Sequence, residues 1–128
     1  MNFPINLKYT AHDEWLKFVN EDTAIFGISD FAQEALGEIV HVELPEVGDT
    51  FDAGEPICEV ESVKAVAEVY APLSCEVLAV NEELDGNEEE VNSDPYEKGW
   101  LIKIRVTDSH AEADLLTVQE YQQKIKDA

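Results

Sequence analysis

A chain of 128 residues suits a single domain, 1–128, with one modest core that needs no disulfide or metal staple. Eight Lys plus Arg against 29 Asp plus Glu give a formal net charge of −21, which argues against nucleic acid and anionic lipid as partners and favours a monomer. Cys58 and Cys75 form no CxxC pair, no apolar run approaches the ~18 residues of a membrane span, and no basic-then-apolar leader opens the chain, so a soluble cytoplasmic protein with reduced thiols is expected.

In chain order, Trp15 to Val19 and Thr23 to Ile28 flank Asn20-Glu21-Asp22 and predict a hairpin. A short helix is expected near 30–36. Asp30 is placed to cap it, Gln33 to complete a capping box, and Gly37 to end it in the left-handed conformation. Phe31, with Ala35 or Leu36, would form its buried side. Glu38 to Leu44 alternates, with Val40, Val42 and Leu44 on one face. Turns at 45–49 and 53–56 precede strand candidates Ile57–Glu61 and Ala65–Tyr70, then Ser74–Val80. Asn81 to Ser93 is acid-rich and reads as a loop or weak helical turn.

The clearest strand comes late, with Ile102, Ile104 and Val106 opposed to Lys103 and Arg105. A second helix is expected near 117–126. Thr117 and Glu120 are spaced as a capping box, Val118, Tyr121 and Ile125 share a face, and Lys124 and Lys126 suit its negative end. Many short strands imply a mainly β fold, a sandwich or flattened barrel. Gly37–Val42 and Ser74–Val80 also echo one another as Glu-led strands on either side of Lys64. Two similar halves would place Ser62–Ala65 at the tip of a central hairpin.

Lys64 is the only basic side chain from Leu44 through Glu97, among sixteen acids. Position and charge alone leave a solvated surface lysine as the plainer reading. If Lys64 is functional, its acidic field favours the ammonium form and argues against a Schiff-base or general-base role. Covalent attachment of a cofactor on a long flexible stem fits better.

Glu61-Ser62-Val63-Lys64-Ala65 resembles the lipoylation motif of the glycine cleavage H-protein family. Tyr9-Thr10 with Glu14-Trp15, the stretch Gly27 to Val40, Val42 to Gly48, Tyr70-Ala71-Pro72, Val91-Asn92, Asp94-Pro95-Tyr96 and Gly99-Trp100-Leu101 are similar to the family's motifs in the same order. The likeness spans roughly 9–125. It implies a hybrid barrel-sandwich of the biotinyl/lipoyl carrier type, with lipoate joined by an amide to Lys64 and with Glu61, Ser62, Val63 and Ala65 as its motif context.

The resemblance further implies a non-catalytic carrier. A pyridoxal-phosphate decarboxylase (P protein) would load an aminomethyl group from glycine. An aminomethyltransferase (T protein) would pass the carbon unit on, and dihydrolipoamide dehydrogenase (L protein) would reoxidise the dithiol. Lipoylating enzymes would be further partners. The alternative is an H-like lipoyl relay or redox carrier serving other lipoate-dependent enzymes.

The sequence departs from the family pattern at Asp13, where His is usual, at Cys75, where a turn glycine is common, and at Glu88–Glu90 and Glu97-Lys98. Val63 and Ala65 speak against a biotin carrier, which usually has Met on both sides of the lysine. Val63 also replaces the Asp that precedes the lysine in lipoyl domains of 2-oxo acid dehydrogenases. A Cys/His enzyme would need a thiolate beside a base in an accessible pocket, yet Cys58 alternates with Val60 as a core residue would. His12, His41 and His110 are scattered without metal-ligand spacing, so no metal is expected.

Overall fold

Period-two alternation, repeated in short runs, builds two antiparallel sheets over one core. The computed structural model describes residues 1–127. Strands β1 (Lys8–Tyr9), β2 (Glu14–Phe18), β3 (Thr23–Ile28), β9 (Ile102–Asp108), β8 (Ser74–Val80) and β5 (Thr50–Phe51) form a six-stranded sheet in that spatial order. Strands β4 (Ile39–Glu43), β6 (Pro56–Ser62) and β7 (Val66–Tyr70) form a three-stranded sheet. Among the described residues three short α-helices accompany them, α1 (Asp30–Leu36), α2 (Glu90–Ser93) and α3 (Val118–Lys126), with 3-10 turns at Glu82–Leu84 and His110–Asp114. This is the hybrid barrel-sandwich that the family resemblance implies.

Inward-facing residues of both sheets meet in a single cluster. Leu16, Phe26, Val60, Ile102 and Ile104 are wholly buried there, beside Val69, Cys75 and Val77. On the other face of the large sheet, Trp15 joins Tyr9, Leu7, Val118 and Tyr121 in a second cluster that fastens α3. Tyr9 and Tyr121 stack with ring centroids 4.7 Å apart. Helix α3 starts at the expected capping box, with Thr117 accepting from the Glu120 N–H and Glu120 accepting from the Thr117 N–H.

Several expectations need correction. Ser29, not Asp30, caps α1: its hydroxyl accepts from the Ala32 N–H, while Asp30 begins the helix and accepts from the Gln33 amide instead. The helix packs on the core through Leu36, one of the two alternatives expected, and through Ala32, spaced i,i+4, whereas Phe31 is only partly buried and lies outside that cluster and Ala35 is exposed. Val40 does not share the buried face. The register shifts between Ile39 and His41, leaving Val40 as an extra, exposed residue while Ile39 enters the core. The sequence left the two echoing strands unassigned to any sheet; β4 lies in the small one and β8 in the large one.

Three of the four departures from the family pattern sit in definite local structure. Asp13 adopts φ 70, a left-handed conformation that Asp tolerates better than most residues. Its carboxylate accepts from the Tyr121 hydroxyl at 2.9 Å. Cys75 is fully buried beside a register shift at the start of β8. The acid-rich segment is anchored by Leu84 and Val91, both in the main core, and its end forms α2.

Candidate functional site

Strands β6 and β7 run antiparallel, pairing Glu59 with Glu68, Val60 with Ala67 and Glu61 with Val66, and converge on the turn Ser62-Val63-Lys64-Ala65. Ser62 closes it. Its N–H donates to the Ala65 carbonyl at 2.8 Å, and its hydroxyl accepts from the N–H groups of Lys64 at 3.3 Å and Ala65 at 3.0 Å. The same hydroxyl donates to the Ala65 carbonyl at 3.2 Å. One buried serine therefore engages two N–H groups and one carbonyl of the bend, a local competition with ladder bonding that short hydroxyl side chains favour.

With Ser62 turned inward, Lys64 stands exposed at the tip. Among the described residues the one ion pair joins Arg105 to Glu76, and no carboxylate lies within ion-pair distance of the Lys64 amine. Acylating that amine breaks no bond of the turn, so the residues present fit an amide-linked group. Glu61 is exposed at the strand end opposite His41, while Val63 and Val66 are 67% and 61% exposed and Ala65 is exposed between them. The motif thus divides into one structural residue, Ser62, and a small, mostly apolar collar around the amine.

Two neighbours of Lys64 are not apparent from the motif. The Val63 N–H donates to the Glu38 carbonyl at 3.0 Å, tying the tip to the turn between α1 and β4. At Gly37, in that turn, a β-carbon would stand 3.3 Å from Lys64 Cε and 3.8 Å from its Nζ, so the lysine stem lies over bare backbone. Gly37 has φ 86, which favours glycine independently of the lysine.

At the other end of β7 lies a cavity of about 280 Å³, lined by Thr10, His12, Glu14, Ala71 and Leu115 among others. Glu14 is almost wholly buried and accepts from the Thr10 hydroxyl and, at 3.3 Å, from the Tyr70 N–H. Desolvation pushes its carboxyl up to about 7, against the lowering effect of both hydrogen bonds. Cys58 and Cys75 are buried and unpaired with one another. Burial raises the Cys58 thiol far above its usual range and the Cys75 thiol to about 12, so neither supplies the thiolate a nucleophile requires. Among the described residues no group of three or more His, Cys, Asp or Glu is arranged to hold a metal ion. No helix there is long and apolar enough to cross a membrane.

The family model described as glycine cleavage H-protein matches residues 7–128. The chain belongs to the glycine cleavage H-protein family. It is 51% identical over 126 residues to the glycine cleavage system H protein of Halalkalibacterium halodurans, covering 98% of each chain. It is 50% identical over 121 residues to that of Bacteroides thetaiotaomicron, covering 94% of this chain and 95% of the relative. The crystal structure of a glycine cleavage system H protein from Mycobacterium marinum superposes with a TM-score of 0.88 at 36% identity, over 97% of this chain and 99% of that one. The H-protein family is a carrier component of the glycine cleavage system, and here its fold presents one lysine on a stiff two-stranded mount.

Proposed function

We propose that this chain is the lipoyl carrier of a glycine cleavage system, acting as a single cytoplasmic domain with lipoate in amide linkage to Lys64. The observation that carries this reading is the exposed amine at the tip of β6–β7, without an ion-pair partner among the described residues, on a turn whose N–H groups are already engaged. When bound, the lipoyl group supplies a reducible disulfide whose sulfur can hold an aminomethyl unit. Ser62 fixes the bend from which the stem projects, so motion is confined to the arm. Val63 and Ala65 leave the amine uncrowded for a lipoylating enzyme.

The proposed partners are the P protein, which loads the group from glycine, the T protein, which takes it, and the L protein, which reoxidises the carrier. A tethered cargo meets each partner's site at high effective concentration, which is what a carrier contributes without catalysing a step itself. The net charge of −21 favours partners whose clefts are positive.

Lys64→Arg tests the reading, because it keeps the charge and removes the acylable amine. Intact-mass analysis after treatment with a lipoate ligase, lipoate and ATP should show a lipoyl increment on the wild type and none on the variant. The variant should keep its circular dichroism spectrum and lose glycine turnover with P, T and L proteins. Turnover at the wild-type rate in the variant would overturn the proposal.

A further inference from the structure

The bond from Val63 to Glu38 makes the tip only as fixed as the turn that carries Glu38. That turn is gripped at both ends by one side chain from α2. The Asn92 amide donates to the Gly37 carbonyl at 2.9 Å and, through the same nitrogen, to the Gln33 side-chain carbonyl at 2.9 Å. Its oxygen accepts from the Ile39 N–H at 2.9 Å. Both donors and the carbonyl are thus engaged, on either side of Glu38. The mount is rigid too, because the preceding residue, Val91, is wholly buried in the main core.

A continuous set of bonded groups therefore runs from Asn92 through Gly37 and Ile39 to Glu38, Val63 and the Lys64 backbone. The lysine stem closes it by lying over Gly37. Only a neutral amide meets the demand at this point, since two carbonyls require donors and one N–H requires an acceptor. A carboxylate would set an oxygen against the Gly37 carbonyl, and a methyl group would leave both ends of the turn unheld.

We infer that Asn92 is a positioning residue for acylation at Lys64. It touches neither the amine nor an acyl donor. It holds the Gly37–Ile39 turn where Glu38 can anchor Val63 and where bare backbone supports the lysine stem. The inference rests on the reading of Lys64 as the lipoylated residue.

The test uses the full chain as wild type, Asn92→Asp and Asn92→Ala. Lipoylation by a lipoate ligase with lipoate and ATP is followed by intact mass over a range of carrier concentrations, at a temperature where circular dichroism shows each protein folded. Asn92→Asp keeps the acceptor for the Ile39 N–H and serves should the alanine variant not fold. The expected result is a fall in kcat/KM of roughly tenfold or more, as misplacement of a reacting group produces. Amide hydrogen exchange at Val63 should quicken while that at Ile104 in the core is unchanged, which separates local positioning from general loss of stability. A folded variant with kcat/KM within about twofold of wild type overturns the inference, since misplacement costs more than that. A wild type that gains no lipoyl mass overturns the reading of Lys64 and this inference with it; a normally lipoylated wild type beside unimpaired variants overturns this inference alone.

Discussion

Ser62 and Ala65 are joined by three hydrogen bonds across the tip of β6–β7, two accepted by the Ala65 carbonyl and one accepted by the Ser62 hydroxyl. Ser62→Ala removes the hydroxyl and leaves the N–H groups of Lys64 and Ala65 to water. The expected cost is about 1 kcal/mol, the net worth of an ordinary intramolecular hydrogen bond, with the loss concentrated at the tip. Urea midpoints measure the stability and amide exchange at Ala65 measures the local loosening. An unchanged Ala65 exchange rate would show that the hydroxyl does not hold the bend.

Glu14 makes stability depend on pH with a defined sign. Its folded-state pKa of about 7 lies above the ordinary glutamate value of 4.5, so the folded chain holds this proton more tightly than the unfolded chain. The resulting stabilisation is complete below the ordinary value and disappears as pH rises through 7. Its size is on the order of 3 kcal/mol, the rise from 4.5 to about 7 at about 1.4 kcal/mol per pH unit. Glu14→Gln should flatten that part of the profile, so its stability relative to wild type rises between pH 4.5 and 8. Denaturant titrations across that range provide the check, and parallel curves would exclude the carboxyl as the source.

Tyr121 fastens α3 to the turn between β3 and α1. Its hydroxyl donates to Asp13 at 2.9 Å and lies 2.6 Å from the Ser29 hydroxyl, which must then donate to it. Tyr121→Phe keeps the stack on Tyr9 but leaves a buried Ser29 hydroxyl and the Asp13 carboxylate short of a partner. A loss of about 1–3 kcal/mol is expected, the cost of stranding a buried polar group. A change below about 0.5 kcal/mol in urea unfolding would mean that stacking alone secures the helix.

The two thiols should be silent in the folded chain. Burial keeps Cys58 and Cys75 protonated, so a disulfide reagent at pH 8 should modify them only as fast as the protein opens. Labelling of the native and urea-unfolded chain, followed by mass, distinguishes the cases. Rapid labelling of either cysteine under native conditions would contradict its placement in the core.

Local chemistry by itself determined much of this molecule. The alternation of Ile102, Ile104 and Val106, the Thr117–Glu120 capping box and the short gap between the strands around Lys64 each depend on nearby residues, so their outcome could be read along the chain. The lysine's place on a tip followed from that gap, and its chemical meaning from the family likeness. Tertiary structure decided what depends on distant partners. A bulge is a mismatch between two strands, so periodicity within β4 could not show that Val40 would turn outward and Ile39 inward. Glu14 acquires its raised pKa only because the fold removes it from water, and Asn92 reaches the Gly37–Ile39 turn only when residues more than fifty positions apart are brought together. Alternation and capping act over a few residues, whereas burial and cross-chain hydrogen bonds exist only once the sheets have closed.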